Sequence, residues 1–281
     1  MRGQHERGSL AWCAADFRSL LPGASAGLMQ LMYPPLGQGV MEHSSFIDDP
    51  FGRVYRSIPQ IWATILTPEG EERAHHVRDL HRDIKGVDDD GQRYHALDPD
   101  TFWWAHATFT WEMFRSIQFF HRRQLTDNEK EALYAETVEW YERYGVSMRP
   151  VPANYDLFTR RFVTICTEEL ELTPAAAYAI KIAERGSVGL PLVPPAAMRM
   201  IRPVLKQPGR ALAFGCMPTY VRKHMDIRWT KTDANSIALL MTVLQTGGSI
   251  VPSAMNQRAL RFSLRRVGAR TRDERYQLPS R

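Results

Sequence analysis

Three separate points in the sequence carry the residues that typically start an α-helix. Thr67-Pro68 and Asp98-Pro99 each place a capping side chain before a proline, and Thr126-Asp-Asn-Glu129 has the spacing of a capping box. Apolar residues after these points recur at helical intervals, and the alternation that is typical of strands is scarce. With no internal repeat and no long Gly/Ser linker, these signals predict an all-α fold organised as a single helical domain.

The same signals give approximate helix boundaries. We predict one helix from Thr67 to about Lys85 and another from Asp98 to about Phe120. The stretch 48–57 contains DDP and FG, so we predict a loop that leads into a helix. Beyond Pro174 the sequence predicts shorter elements separated by proline-rich joints.

Positive charge is concentrated at the C-terminus. The formal net charge is +5, and residues 256–281 contain eight arginines against Asp273 and Glu274. We therefore divide the chain into an N-terminal extension (1–18), a helical domain (19–255) and a basic C-terminal tail (256–281). The tail has no interleaved aromatic repeat that would stack on bases, so nucleic acid is not expected as a partner. Peripheral contact of the tail with an anionic membrane is the alternative.

Cysteine usage and hydropathy indicate the compartment. Cys13, Cys166 and Cys216 are odd in number and far apart in sequence, which is typical of a reducing compartment and not of a disulfide framework. No window reaches the roughly 18 apolar residues of a membrane-spanning helix, and the N-terminus lacks the apolar core of a signal peptide. We expect a cytoplasmic protein, or one attached to the periphery of a membrane.

Two of the nine histidines are predicted to point into the core. At 100° per residue, His81 lies in an apolar stripe with Val77, whereas His75 and His76 lie among charged residues. On the next predicted helix His106 also points inward, among large aromatic residues. Two consecutive helices therefore each direct one imidazole toward the core.

An inward-facing histidine has several uses. It is an ordinary core residue when a backbone carbonyl satisfies it, and it is also the commonest metal ligand. A zinc site is not favoured, because neither inward histidine has a second ligand three or four residues away on its own face. Three alternatives remain: a haem protein, a non-haem centre in which His43, His81 and His106 converge on iron or copper, and a cofactor-free helical protein that binds a hydrophobic ligand.

A family resemblance narrows these alternatives. The stretch GLMQLMYPPLGQGVMEHSSFIDDPFGRVYRS, from Gly27 to Ser57, resembles the opening of the rubber-oxygenase catalytic-domain family. The likeness continues through HRDIKG, through DGQRYHALDPDTFWWAHATF and on to YGV, and it is faint at FGCMPTYVRKHMDIRW. It covers roughly Ser19 to Trp229, and the ordered succession EHS, DPFGR, H..IKG, DG..Y.A.DP and W.HA makes it specific.

The resemblance implies a globin-like helical core around a b-type haem, used to activate O2 for the oxidative cleavage or oxygenation of a small hydrophobic substrate. The proximal histidine of the rubber-cleaving members, which follows an Arg-x-x-x-Thr signature, is best matched by His81, the expected metal ligand. The signature itself falls on Arg53 and Ser57, with Ser in place of Thr. Arg56 stands where those members have a distal Lys. Its permanently charged fork suits binding of propionate or carboxylate better than proton transfer.

The resemblance also predicts which other residues bind the cofactor or take part in catalysis. Arg53 is expected to bind the cofactor and, with Arg56 and Ser57, to serve catalysis. His106 is expected as a further residue at the cofactor. Glu42 is a candidate base by its position in EHS.

Overall fold

The computed structural model describes residues 6–88, 90–186 and 195–247, so the predicted basic tail 256–281 lies outside the described residues. Within these ranges the chain is all-α apart from one two-stranded hairpin, which confirms the predicted fold class. A globin-like arrangement of the core stays a prediction. The helices before the hairpin are α1 (Leu10–Ala14), a 3-10 helix (Phe17–Leu20), α2 (Gly23–Leu31), α3 (Pro34–His43), α4 (Pro50–Leu66) and α5 (Gly70–Asp79).

The remaining elements begin with the hairpin of β1 (Lys85–Val87) and β2 (Arg93–His95). They continue with α6 (Pro99–Phe120), α7 (Asp127–Glu142), α8 (Tyr155–Glu168), α9 (Pro174–Glu184), α10 (Pro195–Gly215), α11 (Thr219–His224) and α12 (Lys231–Gly247).

Two of the three predicted helix starts are confirmed by their capping hydrogen bonds. The Asp98 carboxylate accepts from the backbone N–H groups of Asp100 and Thr101 at 3.0 and 3.2 Å, and α6 follows. Thr126 and Glu129 satisfy each other's backbone N–H groups at the start of α7, as a capping box does. These caps are local, so the sequence alone contains the information that places them.

The prediction at Thr67 is wrong. The Thr67 hydroxyl donates to the Ala63 carbonyl at 2.8 Å and so ends α4 instead of capping α5. α5 begins only at Gly70 and stops at Asp79, well short of the predicted end at Lys85.

Two further boundaries differ from the prediction. The segment 48–57 is not a loop throughout, because α4 starts at Pro50 with the Asp49 carboxylate accepting from the Gly52 N–H at 2.8 Å. The expected proline-rich joint after residue 200 is part of α10, which contains Pro203 and Pro208. Side chains of α10 pair with α12 across this region, so packing between the helices outweighs the loss of two backbone donors.

The core is organised around α6. The side chains of Trp104, Met113 and Phe120 are fully buried along its length, and Trp140 and Tyr141 of α7 are fully buried beside it. The N-terminal segment also belongs to this core from residue 10 onward. Leu10 and Cys13 of α1 are buried, although residues 1–18 were expected to lie outside the helical domain.

The approach of α4 to α5 depends on Gly70. A Cβ at this position would lie 2.3 Å from the Thr64 carbonyl oxygen, far inside van der Waals contact. The same carbonyl accepts a hydrogen bond from Arg143 of α7 at 2.8 Å, so it is not free to move aside. Glycine thus allows α5 to lie directly against the last turns of α4.

Candidate functional site

His81 lies in the turn that follows α5, not in a helix as predicted. Its backbone N–H donates to the Arg78 carbonyl at 2.9 Å, and the chain then turns toward β1. The imidazole points toward the helical core, where it meets the ring of Phe102 edge-on at a centroid distance of 6.1 Å. The first turn of α6, which carries Phe102, therefore positions one side of the histidine.

The hydrogen bonding of His81 fixes its tautomer. Nδ1 lies 2.7 Å from the Val77 carbonyl oxygen. Because a carbonyl only accepts, Nδ1 carries the hydrogen in this contact, and Nε2 keeps its lone pair. Nε2 has no hydrogen-bond partner in the described part of the chain. A backbone carbonyl on one ring nitrogen and a free lone pair on the other is the arrangement of metal-ligating histidines.

The surroundings also keep His81 neutral. Burial lowers the pKa of His81 below its ordinary value, the Val77 carbonyl opposes this effect, and the positive charge of Arg53 lowers the pKa further. The imidazole is therefore uncharged at neutral pH. Its lone pair is available without the loss of a proton.

The predicted arginine and serine residues all lie on α4. Arg53 is half-buried, lies 6.0 Å from the ring centroid of Phe46, and is close enough to His81 to influence its pKa. The hydroxyl of Ser57, one turn further along α4, makes no hydrogen bond within the described chain. Arg53 is therefore the predicted residue of α4 that lies near His81, and a role for Ser57 at the same ligand stays a prediction.

Arg56 points to a different set of partners. Its guanidinium donates to the Asp49 carboxylate at 3.2 Å and to the Ser45 hydroxyl at 2.8 Å. These contacts tie α4 to the segment that precedes it. A direct catalytic role for Arg56 stays a prediction, and the geometry favours a structural one.

His106 lies inside the packed core. Its ring centroid is 4.5 Å from that of Trp140 and 4.9 Å from that of Tyr141, and Nε2 donates to the Thr137 carbonyl at 3.0 Å. Nδ1 is buried with no hydrogen-bond partner among the described residues, and burial lowers the pKa of His106 to about 3. The cavity beside it measures about 10 Å³, which is room for one water molecule. A cofactor-binding role for His106 stays a prediction, and the cavity does not favour it.

His43 and Glu42 form a cluster of their own with the hairpin. The Tyr94 hydroxyl donates to the Glu42 carboxylate, and His43 Nε2 lies 3.0 Å from the same hydroxyl oxygen. Gln38 donates to the other oxygen of Glu42 at 2.6 Å. The described residues contain no group of three or more His, Cys, Asp or Glu side chains placed to hold a metal. The structure does not bring His43, His81 and His106 together.

A groove that the sequence did not reveal lies beside the N-terminus of α6. This groove, which we name the hairpin groove, has a volume of about 880 Å³ and lies between the hairpin, the start of α3, the start of α6 and the end of α8. Thr101 lines it, and the next residue, Phe102, contacts His81. The hairpin forms because residues 85–87 pair with residues 93–95. In the sequence, the polar turn between these two short strands concealed them.

Glu112 is the second feature that the sequence did not reveal. This residue of α6 is 1% exposed, and both carboxyl oxygens are buried without a partner in the described chain. A Cβ on Gly23, at the start of α2, would lie 3.0 Å from Oε1. Burial raises the pKa of Glu112 well above its ordinary value, so the side chain is a neutral acid in the fold. It is ten residues along α6 from Phe102 and thus remote from His81.

Comparison with known proteins supplies one match. The sequence profile of the family described as "ER-bound oxygenase mpaB/B'/Rubber oxygenase, catalytic domain" matches residues 11–246, which is most of the chain. No curated protein and no solved structure matches the chain significantly.

Proposed function

The chain belongs to the family of ER-bound and rubber oxygenase catalytic domains, and from this premise we propose that it is a haem-dependent oxygenase of a small hydrophobic substrate with O2 as co-substrate. The family supports oxygenase activity in general. Haem b, the identity of the ligand residue and the substrate class are our proposals.

The observation that supports haem most directly is the state of His81. Its Nδ1–H donates to the Val77 carbonyl. The imidazole is neutral, and its Nε2 has no hydrogen-bond partner within the described chain. A ring nitrogen with a lone pair and no protein partner is able to accept a ligand such as a metal ion. By its donor chemistry, His81 is the residue that would hold the haem iron.

The neighbouring residues of α4 suit the rest of such a site. The positive charge of Arg53 is suited to a propionate, and the half-buried hydroxyl of Ser57 can donate one hydrogen bond to a bound ligand. Arg56 holds the start of α4 in place through Asp49 and Ser45. Haem iron, when bound, supplies the ability to bind and reduce O2. The chain's own residues hold, orient and shield the reactants.

Localisation is also proposed in part. Among the described residues, no helix combines the length and the apolar character that crossing a bilayer requires, and the family includes ER-bound oxygenases by its name. We propose a cytoplasmic protein with peripheral attachment to a membrane through the basic tail. Partition of the full chain between vesicles with and without anionic lipid, with tail arginines replaced by glutamine as the comparison, tests this attachment.

The function is tested by titrating the purified protein with haemin and recording the absorption spectrum. We expect an intense Soret band at stoichiometric haem. His81→Ala should lose at least about tenfold in haem affinity, whereas His76→Ala, which removes an exposed histidine of the preceding helix α5, should not. In His81→Gly, added imidazole should restore the parent spectrum, because it replaces the missing ring without a covalent link. Failure of the parent protein to bind haem at micromolar concentration removes the proposal.

A second candidate is a cofactor-free protein that binds a hydrophobic ligand. The hairpin groove is the observation in its favour, because its volume lies in the range of ligand pockets. Ligand binding without haem uptake in the experiment above would select this candidate.

A further inference from the structure

The wall of the hairpin groove that is formed by the hairpin presents unpaired positive charge. Lys85 lies opposite His95 and Val87 lies opposite Arg93 in the antiparallel register, so these four side chains share one face of the hairpin. All four line the groove. Neither Lys85 nor Arg93 has a salt-bridge or hydrogen-bond partner for its side chain within the described ranges. Two exposed cations thus flank Val87, which is 56% exposed.

Most of the negative charge in the groove is already engaged. The Asp98 carboxylate caps α6, and Asp100 accepts from Arg149 at 2.5 Å and from Arg161 at 2.7 Å. The carboxylate that remains without a hydrogen bond in the described chain is that of Glu169. The charges available to a ligand are therefore two cations on the hairpin and one carboxylate at the opposite rim.

The floor and far wall offer apolar contact and one hydroxyl. Tyr33, Pro35 and Ile165 line this part of the groove. Tyr33 is 9% exposed, and its hydroxyl has no hydrogen-bond partner in the described chain. Burial, and after it the negative charge of Glu169, raises the pKa of Tyr33 to about 12, so the phenol keeps its proton and can donate a hydrogen bond.

We propose that the hairpin groove binds an amphiphile with a carboxylate head group, which Lys85 and Arg93 bind while its apolar body lies along Tyr33, Pro35 and Ile165. An arginine fork and a lysine ammonium at diagonal positions on one face of the hairpin are a suitable pair for a carboxylate. The hairpin groove combines an apolar floor with charged groups on its wall, and a small-molecule site uses both kinds of contact.

The position of the groove suggests which ligand this is. Thr101 borders the groove, and Phe102, the next residue on α6, contacts the ring of His81. The first turn of α6 thus borders the groove and also contacts the candidate iron ligand, and we assign the amphiphile as the substrate of the oxygenase. This assignment rests on the proposed function, whereas binding in the groove does not.

The binding step is tested with dodecanoate and with 1-dodecanol, its neutral counterpart of equal length, by calorimetry on the purified full chain without haem. The parent protein should bind dodecanoate more tightly than dodecanol. Lys85→Gln combined with Arg93→Gln should weaken dodecanoate binding by at least about tenfold and leave dodecanol unchanged. Arg160→Gln is the matched control, because Arg160 is an exposed arginine of α8 that pairs with Asp156 outside the groove.

Three results would overturn the binding proposal: no dodecanoate binding at millimolar concentration, equal binding of the alcohol, or full affinity in the double variant. The substrate assignment is tested separately in haem-loaded protein. There dodecanoate should perturb the Soret band, and the double variant should require a correspondingly higher concentration. An unchanged spectrum despite binding separates the groove from the iron site and overturns the substrate assignment. Failure of haem uptake contradicts the proposed function and leaves the calorimetric result standing.

Discussion

His81 and His106 each hold one ring nitrogen against a backbone carbonyl and leave the other nitrogen without a partner in the described chain. Burial lowers the pKa of both, so both are neutral imidazoles. His81, however, lies in a turn beside a charged helix, whereas His106 is enclosed by Trp140 and Tyr141 with room for about one water molecule. The comparison teaches that the surroundings of the ring, a partly exposed turn for His81 and a closed aromatic core for His106, separate a candidate ligand residue from a core residue, whereas the imidazole chemistry does not.

The largest expected effect is a difference in the free energy of unfolding that is lost when each of the two imidazole rings is removed. His106→Ala should lower the free energy of unfolding by about 3 kcal/mol, because it leaves a cavity between Trp140 and Tyr141. His81→Ala should lower it by about 1 kcal/mol in the absence of haem, because the side chain is half-buried in a turn and loses one hydrogen bond and an edge-on ring contact. Urea unfolding of both variants measures the difference. Equal losses would mean that His81 is also a core residue.

The next effect is a decrease in the free energy of unfolding at acid pH, caused by His106. His106 has an ordinary pKa near 6.5 when unfolded and about 3 when folded, so between these values the unfolded chain binds the extra proton. The stabilisation is complete above pH 6.5 and is lost as the pH falls toward 3. From pH 6.5 to pH 5 the loss is about 2 kcal/mol. Urea unfolding at several pH values should show this slope in the parent protein, and His106→Asn should reduce it. An identical slope in the variant would contradict the assignment.

Glu112 extends the comparison to a buried group with no partner for either oxygen. Glu112→Met should raise the free energy of unfolding at pH 7 by about 1–2 kcal/mol, because it removes an unsatisfied buried carboxyl at similar volume. The raised pKa means that the folded chain holds the extra proton, so stability falls as the pH rises through the folded value. The gain should therefore increase with pH. Glu112→Gln, which resembles the neutral acid, is the control, and a loss of stability in Glu112→Met would show that the carboxyl has a partner in solution.

The smallest effect is electrostatic. Arg53→Gln should raise the pKa of His81, because it removes a positive charge that disfavours the imidazolium. The pKa of His106 should not change, since no charged group contributes to its shift. Titration of both ring signals by NMR measures the two pKa values in one experiment. A shift of both rings would indicate a change in packing and not a charge effect.

The features that depend on neighbouring residues were predictable from the sequence, and those that depend on distant ones were not. Asp98 and Thr126 cap helices through backbone groups within three residues, so their helices start where the sequence predicts. Thr67 has the same local pattern, but its hydroxyl bonds back to Ala63, and the close packing of α5 on α4 shifts the next helix to Gly70.

The candidate site shows the same division. His81 was directed inward by a helical wheel, yet α5 ends at Asp79, so the wheel does not apply at position 81. The ring is held by Val77 and Phe102, and the contact with Phe102 comes from a helix that starts far along the chain. The hairpin groove and the buried Glu112 are also products of helices brought together by folding. A pattern among neighbouring residues in the sequence cannot reveal features of this kind.

Gly70 has a consequence for how substitutions in related chains should be interpreted. The helix that it starts leads directly to His81, and the helix that it touches carries Arg53 and Ser57. A single added methyl group would wedge the two helices apart and so lengthen the gap between imidazole and guanidinium, although it would contact neither. The residue at position 70 therefore sets the distance between the two helices of the site without contacting the site itself. An alanine there would lower the activity of the oxygenase, although every side chain at the centre of the site stayed the same.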